Sequence, residues 1–320
     1  MKVGITMGDP SGIGPQLCAL LTKHVRSDFS YFIFGSFEVF KKALEFSEIN
    51  LEPLLTKSAG EYPPGVYFID LGLEASYESS QKSAKLAIAS LARATAEAIK
   101  GNLDGILTMP INKKTAKLAG FNFSGQTEYL ANACNSKEYA MMLFSERFSV
   151  CLLTTHIPLR EVPGILTVDL VVKKVSFVLK TFKELFGFLP KSAILGLNPH
   201  SGEDFDLEEK QIIIPAIDQL KSLGFNIDGP LSPDSAFLKP YQLYFCAYHD
   251  QCLIPFKLLN FDSGVNLTLG LSFIRTSPDH GVAADIAWKA TPRIESSLSA
   301  LRLCENLCIK RAELRKEGLQ

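Results

Sequence analysis

Three histidines, His156, His200 and His249, stand 44 and 49 residues apart, each just past a compact apolar segment. "FSVCLLTT" leads to His156, "SAILGLNP" to His200 and "YFCAY" to His249. Such segments read as buried strands, and open α/β sheets bind ligands beyond the carboxyl ends of their strands. Three neutral imidazoles with one position left open make a catalytic zinc arrangement. The spacings match no local zinc motif, so convergence has to come from the fold. Spacing by itself is better served by three independent, hydrogen-bonded loop histidines. The neighbours tilt the reading toward a site. Asp250 adjoins His249 and Glu203 lies close to His200, and carboxylates commonly orient metal-bound imidazoles. "TTHIPLREVPG" crowds hydroxyls, His156 and an arginine into one strand exit; loops this mixed are more often sites than spacers. His280 follows "VNLTLGLSFIRTSPD" in the same manner, whereas His24 sits in a Lys/Arg-flanked helical stretch and reads as surface.

The net charge is −1, so an anionic substrate must be caught by a few local cations, and bulk attraction to nucleic acid or anionic membrane is excluded. Lys113 follows the apolar run 104–109, Lys257 closes "YHDQCLIPFK", and Arg275 stands among apolar residues in "FIRTS". A lone arginine there is either a structural ion pair or a bidentate clamp for phosphate or carboxylate. Asn266 is likewise polar inside a strand pattern. Singly each favours the structural role; grouped in one short span with His249 they favour a site. Asp250 and Asp234, the latter in "GPLSPDSAF", are the candidate proton-handling carboxylates, and neither is assigned as general base. The turn "MGDPSGIGPQ" carries Gly8, Gly12 and Gly14 with Pro15 behind them. It departs from the dinucleotide fingerprint and serves equally as a tight strand-to-helix connection.

The elements that must position these groups alternate between strand and helix. Residues 2–7, 31–35, 66–71 and 104–109 read as short buried strands. "KSAKLAIASLARATAEAIKG" reads as a helix with Ala84, Ile88, Leu91 and Ile99 on its apolar stripe and Gly101 as terminator. Thr167 and Gly187 bracket a second helix as N-cap and stop, Pro215 bends a third, and the last fifty residues read as mostly helical. Alternation of this kind predicts a parallel or mixed sheet with helices on both faces. The 320 residues, 47% hydrophobic, suffice for two domains. Seven scattered cysteines without a CxxC pair, no apolar signal region and no bilayer-length segment predict reduced thiols in a cytoplasmic protein.

The blocks "GITMGDPSGIGPQ", "PINKKTAKLAGFNFSGQTEYLA", "LTTHIPLREVP", "GLNPHSGE", "GPLSPDSAF", "YHDQCLIPFK" and "VNLTLGLSFIRTSPDHGVAADIAW" run in this order over nearly the whole chain. Together they resemble the 4-hydroxythreonine-4-phosphate dehydrogenase family, NAD-dependent enzymes of vitamin B6 synthesis similar in fold to the isocitrate and isopropylmalate dehydrogenases. The resemblance implies a two-domain α/β protein of that fold. One domain is expected from residues 1–125 plus 265–320 and carries most of the NAD site; the other, 126–264, carries the metal ligands and the dimer contact. The resemblance further implies that His156, His200 and His249 bind one divalent ion (zinc, magnesium or cobalt) in a cleft at a homodimer interface, with ligands from both subunits. Lys257, Asn266 and Arg275 are implied to hold the substrate, with Thr127 and with Gln126 where the family usually has histidine. Asp279, His280 and Gly281 are the expected NAD contacts, joined by Gly12 and Gly14, and Asp250, Asp234 and Lys257 are the expected catalytic groups. The implied reaction oxidises 4-phosphooxy-L-threonine to a β-keto acid that loses carbon dioxide, giving 3-amino-2-oxopropyl phosphate. Two rival activities remain: a paralogue acting on a four-carbon sugar-acid phosphate of the erythronate 4-phosphate type, and more remotely a phosphate acetyltransferase. A non-catalytic binding protein is the third alternative.

Overall fold

Apolar runs ended by Gly, Asp or Pro become strands, and the periodic stretches between them become helices. The computed structural model describes residues 1–203 and 207–316. Its strands are β1 (Lys2–Thr6), β2 (Ser30–Gly35), β3 (Leu54–Leu55), β4 (Gly65–Asp70), β5 (Gly105–Thr108), β6 (Ala140–Phe144), β7 (Ser149–Leu152), β8 (Ser192–Leu195), β9 (Ile227–Leu231), β10 (Leu243–Cys246), β11 (Val265–Leu269) and β12 (Ile274–Pro278). Its α-helices are α1 (Gly14–Leu21), α2 (Phe37–Phe46), α3 (Gln81–Ile99), α4 (Lys113–Leu118), α5 (Gln126–Ala133), α6 (Val162–Ile165), α7 (Val168–Phe186), α8 (Ile214–Ser222), α9 (Pro233–Ala236), α10 (His249–Asn260) and α11 (Glu295–Lys316). No helix among the described residues is long and apolar enough to cross a membrane.

The described residues divide into two compact units: 1–139 with 270–309, and 140–203, 207–269 and 310–316. The second unit begins after α5 rather than at 126, because Leu130 of α5 packs in the first unit's core with Phe32, Phe34, Leu91 and Ile106. In the first unit the strand order is β3-β4-β2-β1-β5-β12, and every pair whose register is defined is parallel. From β1 the chain places β2, β4 and β3 on one side, and β5 and β12 on the other. The order therefore reverses between β1 and β5, which is where open α/β sheets leave a crevice at the strands' carboxyl ends. In the second unit the order is β11-β6-β7-β10-β8-β9. There β6 is antiparallel to both neighbours, and β10 is parallel to β7 and to β8. Its core packs Phe148, Tyr244, Phe256 and Leu253.

Local chemistry sets the helix ends. Ser80 caps α3 through a reciprocal box with Ser83. The buried stripe of α3 is Ala84, Ala87, Leu91, Ala94 and Ala98 rather than one ending on Ile99, which is 47% exposed; small residues let the helix lie close to the sheet. The Thr167 hydroxyl accepts from Leu170 N–H, and Gly187 ends α7 in the left-handed region at φ 82°. Before Pro215 the chain takes a π-helical stretch, Glu209–Ile213, and then α8; proline has no N–H to continue a regular ladder. The final helix α11 begins only at Glu295, so the segment 279–294 is looped where helix was expected.

Replacing Thr167 with alanine removes the only side-chain acceptor of that cap. Urea unfolding is expected to show a loss of about 1 kcal/mol with an unchanged m-value.

Candidate functional site

Because β10 lies parallel between β7 and β8, three adjacent strands deliver their carboxyl ends to one edge. Pairing continues past the strands: Leu153 N–H donates to Cys246 O (2.7 Å), and the Thr154 hydroxyl donates to Ala247 O (2.6 Å). His156 and His249 follow within two residues, and their ring centroids are 5.8 Å apart. Both line an open pocket of about 320 Å³ with Ile157, Leu159, Tyr248 and Asp250. Asp250 Oδ1 lies 2.6 Å from His249 Nδ1. With Nδ1 tied, Nε2 is the ring nitrogen that can face a ligand.

His200 leaves β8 in the 3-10 turn Pro199–Gly202. It does not line that pocket but sits where its charge acts on Asp234. Among the described residues no three His, Cys, Asp or Glu side chains are gathered tightly enough to hold a metal ion. The structure thus brings His156 and His249 together and places His200 at the next strand exit. His156 (φ 53°), His200 (φ 52°) and Ser201 (φ 56°) adopt left-handed backbone. Such conformations cost about 1–3 kcal/mol each and persist where their surroundings over-determine them.

Two residues that the sequence reading passed over supply that support. Glu209, buried, accepts from Leu197 N–H and Asn198 N–H with Oε1 (2.6 and 2.7 Å) and from Asn198 Nδ2 with Oε2 (2.9 Å). Burial pushes the Glu209 carboxyl up, and the Asn198 and Leu197 bonds outweigh it, so it titrates below the usual carboxylate range. This carboxylate, rather than the exposed Glu203, shapes the His200 turn. Gln251 accepts from Ala247 N–H (2.8 Å) and donates to Gly196 O (2.6 Å), tying the His249 turn to the β8 exit. The "YHDQ" and "GLNPHSGE" blocks contained the signal for Gln251; nothing local marked Glu209. Cys246 and Cys252 lie next to each other, with Cα atoms 5.9 Å apart, because α10 turns back on the strand it follows. Cys18, Cys134, Cys151 and Cys304 are in no disulfide.

Of the other residues in this unit, Lys257 is on an exposed face of α10. It stands seven residues after Asp250, two turns along the same face. Asn266 lies on β11 opposite Leu143, and its Oδ1 is buried without a partner.

In the first unit, Arg275 is only 2% exposed on β12. Its Nε and Nη2 donate to Thr108 Oγ1 (3.1 and 2.8 Å) and its Nη1 to Thr127 Oγ1 (3.4 Å). Burial pulls the guanidinium pKa down to about 10, with Glu128 pulling the other way. It remains a cation at neutral pH. Gln126 opens α5 and donates its Nε2–H to Met109 O (3.0 Å), while its Oε1 is buried without a partner among the described residues. The amide orientation is fixed by that bond, because a flip would set two carbonyl oxygens against each other. Asp9, fully buried beyond β1, accepts from the Ser11 N–H and hydroxyl with Oδ1 and has Oδ2 unpartnered. Lys113 is exposed at the start of α4.

Beyond β12, Asp279 N–H donates to Ser296 Oγ, and the His280 ring lies between Gly281 O (2.9 Å) and Ser297 Oγ (3.5 Å). A Cβ on Gly281 would meet nothing within 4 Å, so this stretch has open space beside it. A Cβ on Gly12 would strike Val282 O at 2.5 Å, and one on Gly14 would strike Met7 O. Both glycines are therefore required by close packing, independent of any ligand.

The family described as pyridoxal phosphate biosynthetic protein PdxA matches residues 27–304. The chain is 51% identical over 316 residues to the 4-hydroxythreonine-4-phosphate dehydrogenase of Aquifex aeolicus, covering 97% of this chain and 99% of that one. It is 36% identical over 322 residues to the D-threonate 4-phosphate dehydrogenase of Salmonella typhimurium, covering 95% and 98%. The solved structure of 4-hydroxythreonine-4-phosphate dehydrogenase from Klebsiella pneumoniae matches with a TM-score of 0.84 at 33% identity, covering 96% of this chain and 99% of that one.

The Asp234 carboxyl is held below the usual carboxylate range, first by the Ser232 hydroxyl donating to its Oδ1 and then by His200. Carbon-13 NMR titration should show the Asp234 pKa rise in Ser232→Ala and, by less, in His200→Gln. An unmoved Asp234 in His200→Gln would separate the two side chains.

Proposed function

The chain belongs to the PdxA family of pyridoxal phosphate biosynthetic proteins, and we propose that it is the member that oxidises 4-phosphooxy-L-threonine with NAD and a divalent ion. The observation that carries this reading is the His156–His249 pair with Asp250 fixing one ring. Imidazole donors suit zinc or cobalt and suit magnesium poorly, since magnesium favours oxygen ligands. His156, His249 and His200 would hold the ion. When bound, it supplies a Lewis acid that lowers a hydroxyl's pKa and stabilises negative charge on that oxygen.

The chain's own residues supply the rest. Asp250 keeps His249 in one tautomer and turns Nε2 outward. Arg275, already desolvated, offers a planar fork to a phosphate or carboxylate, and the Thr127 hydroxyl beside it adds a donor. The unpartnered carbonyl oxygens of Gln126 and Asn266 fit donors on a ligand, such as an ammonium or hydroxyl. Lys257 supplies a further cation for the substrate's anionic end. The open stretch Asp279–Gly281 beyond β12 is the proposed seat of NAD, at the edge where the first unit's strand order reverses. Hydride loss from the carbinol carbon gives the β-keto acid; loss of carbon dioxide then gives 3-amino-2-oxopropyl phosphate. Asp250 and Asp234 are the carboxylates placed to move the proton.

A second reading, oxidation of D-threonate 4-phosphate or a similar four-carbon sugar-acid phosphate, is favoured by the 36% identical relative of that name. The two substrates differ at C2, ammonium against hydroxyl, and a neutral amide oxygen such as Gln126 Oε1 accepts from either.

Purified protein should form NADH with 4-phosphooxy-L-threonine at a higher kcat/KM than with D-threonate 4-phosphate; the reverse order would establish the second reading. His249→Ala should remain folded, lose its bound metal and lose at least about 1000-fold in turnover, as removal of a charge-stabilising group does. Metal retained at full stoichiometry in that variant would remove His249 from the ligand set.

We also read the protein as a homodimer. Ile254 and Leu258 on α10, with Phe261 at its C-cap, form an i, i+4, i+7 apolar stripe, 58%, 78% and 73% exposed. The stripe shares its helix with His249. Leu258→Glu is expected to halve the sedimenting mass and to release metal at the same time. A monomer that keeps its metal would place every ligand in one chain.

A further inference from the structure

The loop after β12 is stitched to the glycine-rich turn after β1. Ile13 N–H donates to Val282 O (2.9 Å), Trp288 N–H to Gln16 Oε1 (2.9 Å), Trp288 Nε1–H to Pro10 O (2.9 Å) and Gln16 Nε2–H to Ala290 O (3.1 Å). Gln16 is fully buried, so both ends of its amide are committed to this loop. Trp288 itself holds left-handed backbone at φ 60°, and Ala283 does so at φ 46°. Neither conformation suits a residue with a side chain, so the four bonds hold the loop in a shape it would not take alone. The Trp288 ring is packed edge-on against Phe46 and Tyr77, with Lys42 Nζ 5.4 Å from its centroid. Its faces are thus largely engaged by the protein. Between the end of β12 and the first stitch at Val282 lie Asp279, His280 and Gly281, the residues next to open space.

We propose that Trp288 and Gln16 are positioning residues for the dinucleotide: they preorganise the Asp279–Gly281 stretch against the β1–α1 turn before the cofactor arrives. The proposal rests on the NAD reading above. A loop anchored at both ends loses less conformational freedom on binding, and that difference appears as affinity. The effect falls on the dinucleotide and little on the phosphorylated hydroxy acid, whose proposed contacts at Arg275 and Thr127 lie on other elements.

Trp288 is the sole tryptophan of the chain, so the test has an optical readout that needs no turnover. Titrating wild-type protein with NADH should quench Trp288 emission and sensitise dihydronicotinamide emission. Gln16→Met loses both amide bonds at similar volume, and Trp288→Phe keeps a ring among Phe46, Tyr77 and Lys42 but loses the bond to Pro10. From the usual worth of such bonds, the NADH dissociation constant should rise about tenfold in Gln16→Met and about threefold in Trp288→Phe, the latter read by calorimetry because that variant has no tryptophan. The KM for NAD should rise in parallel, with a much smaller change in KM for the phosphorylated substrate. Circular dichroism melts show which variants are folded. Either folded variant binding NADH with wild-type affinity would overturn the positioning role, as would calorimetric NADH binding to wild type that leaves Trp288 emission unchanged. Failure of wild type both to bind NADH and to reduce NAD would instead sink the cofactor reading on which this one stands.

Discussion

Parallel strand pairing is the constraint on which the chemistry we propose for this chain depends. A parallel ladder sends every strand's carboxyl end to the same edge, so residues far apart in sequence leave the sheet side by side. In the second unit the pairs β7–β10 and β10–β8 do this for His156, His249 and His200. In the first unit β1, β5 and β12 do it for Asp9, Met109 and Asp279. An antiparallel arrangement of the same segments would have thrown alternate exits to opposite edges. The antiparallel strands β6 and β11 carry none of the three histidines.

Bringing strand exits together is not enough, because the exits must also be held in unfavourable shapes. His156 and His200 are left-handed, and the carbonyl oxygens of Gln126 and Asn266 are buried without partners. Arg275 keeps its charge in surroundings that lower its proton affinity. Each feature costs stability, and at the His200 and His249 turns neighbouring side chains hold the backbone in place. Glu209 satisfies the backbone amides that the His200 turn would otherwise strand, and Gln251 joins two loops by accepting from one and donating to the other. Such distribution is expected where a site is prepared before its ligand arrives: the reactive groups are left short of partners and the scaffold around them is over-supplied.

The groups of chemical character were legible in the sequence because they interrupt apolar runs: His249 and Asp250 after "YFCAY", Arg275 inside "FIRTS". Helix ends at Thr167 and Gly187 were legible because caps are local. What stayed hidden was fixed by distant partners. The buried stripe of α3 uses alanines rather than Ile99, since closeness to the sheet outweighed side-chain size. Glu209 looks like any acid at a helix start until the fold delivers the amides of Leu197 and Asn198 to it. Gly12 and Gly14 read in sequence equally as NAD contacts and as a tight strand-to-helix connection, and the fold shows that their missing side chains are required by Val282 and Met7. Packing and ligand contact do not exclude each other here, and sequence alone does not separate the two.

The choice between an amino and a hydroxy substrate follows from how a pocket tells donors apart. A site that hydrogen-bonds a group rejects an analogue lacking it far better than one that replaces it with another donor. Gln126 Oε1, which has no partner among the described residues, would accept from an ammonium and from a hydroxyl alike if the proposed substrate reaches it. On that reading, discrimination at C2 has to come from charge rather than from hydrogen-bond count. Glutamine carries no charge and neither attracts nor repels an ammonium, so the charge that separates the two substrates has to be supplied by other residues than Gln126.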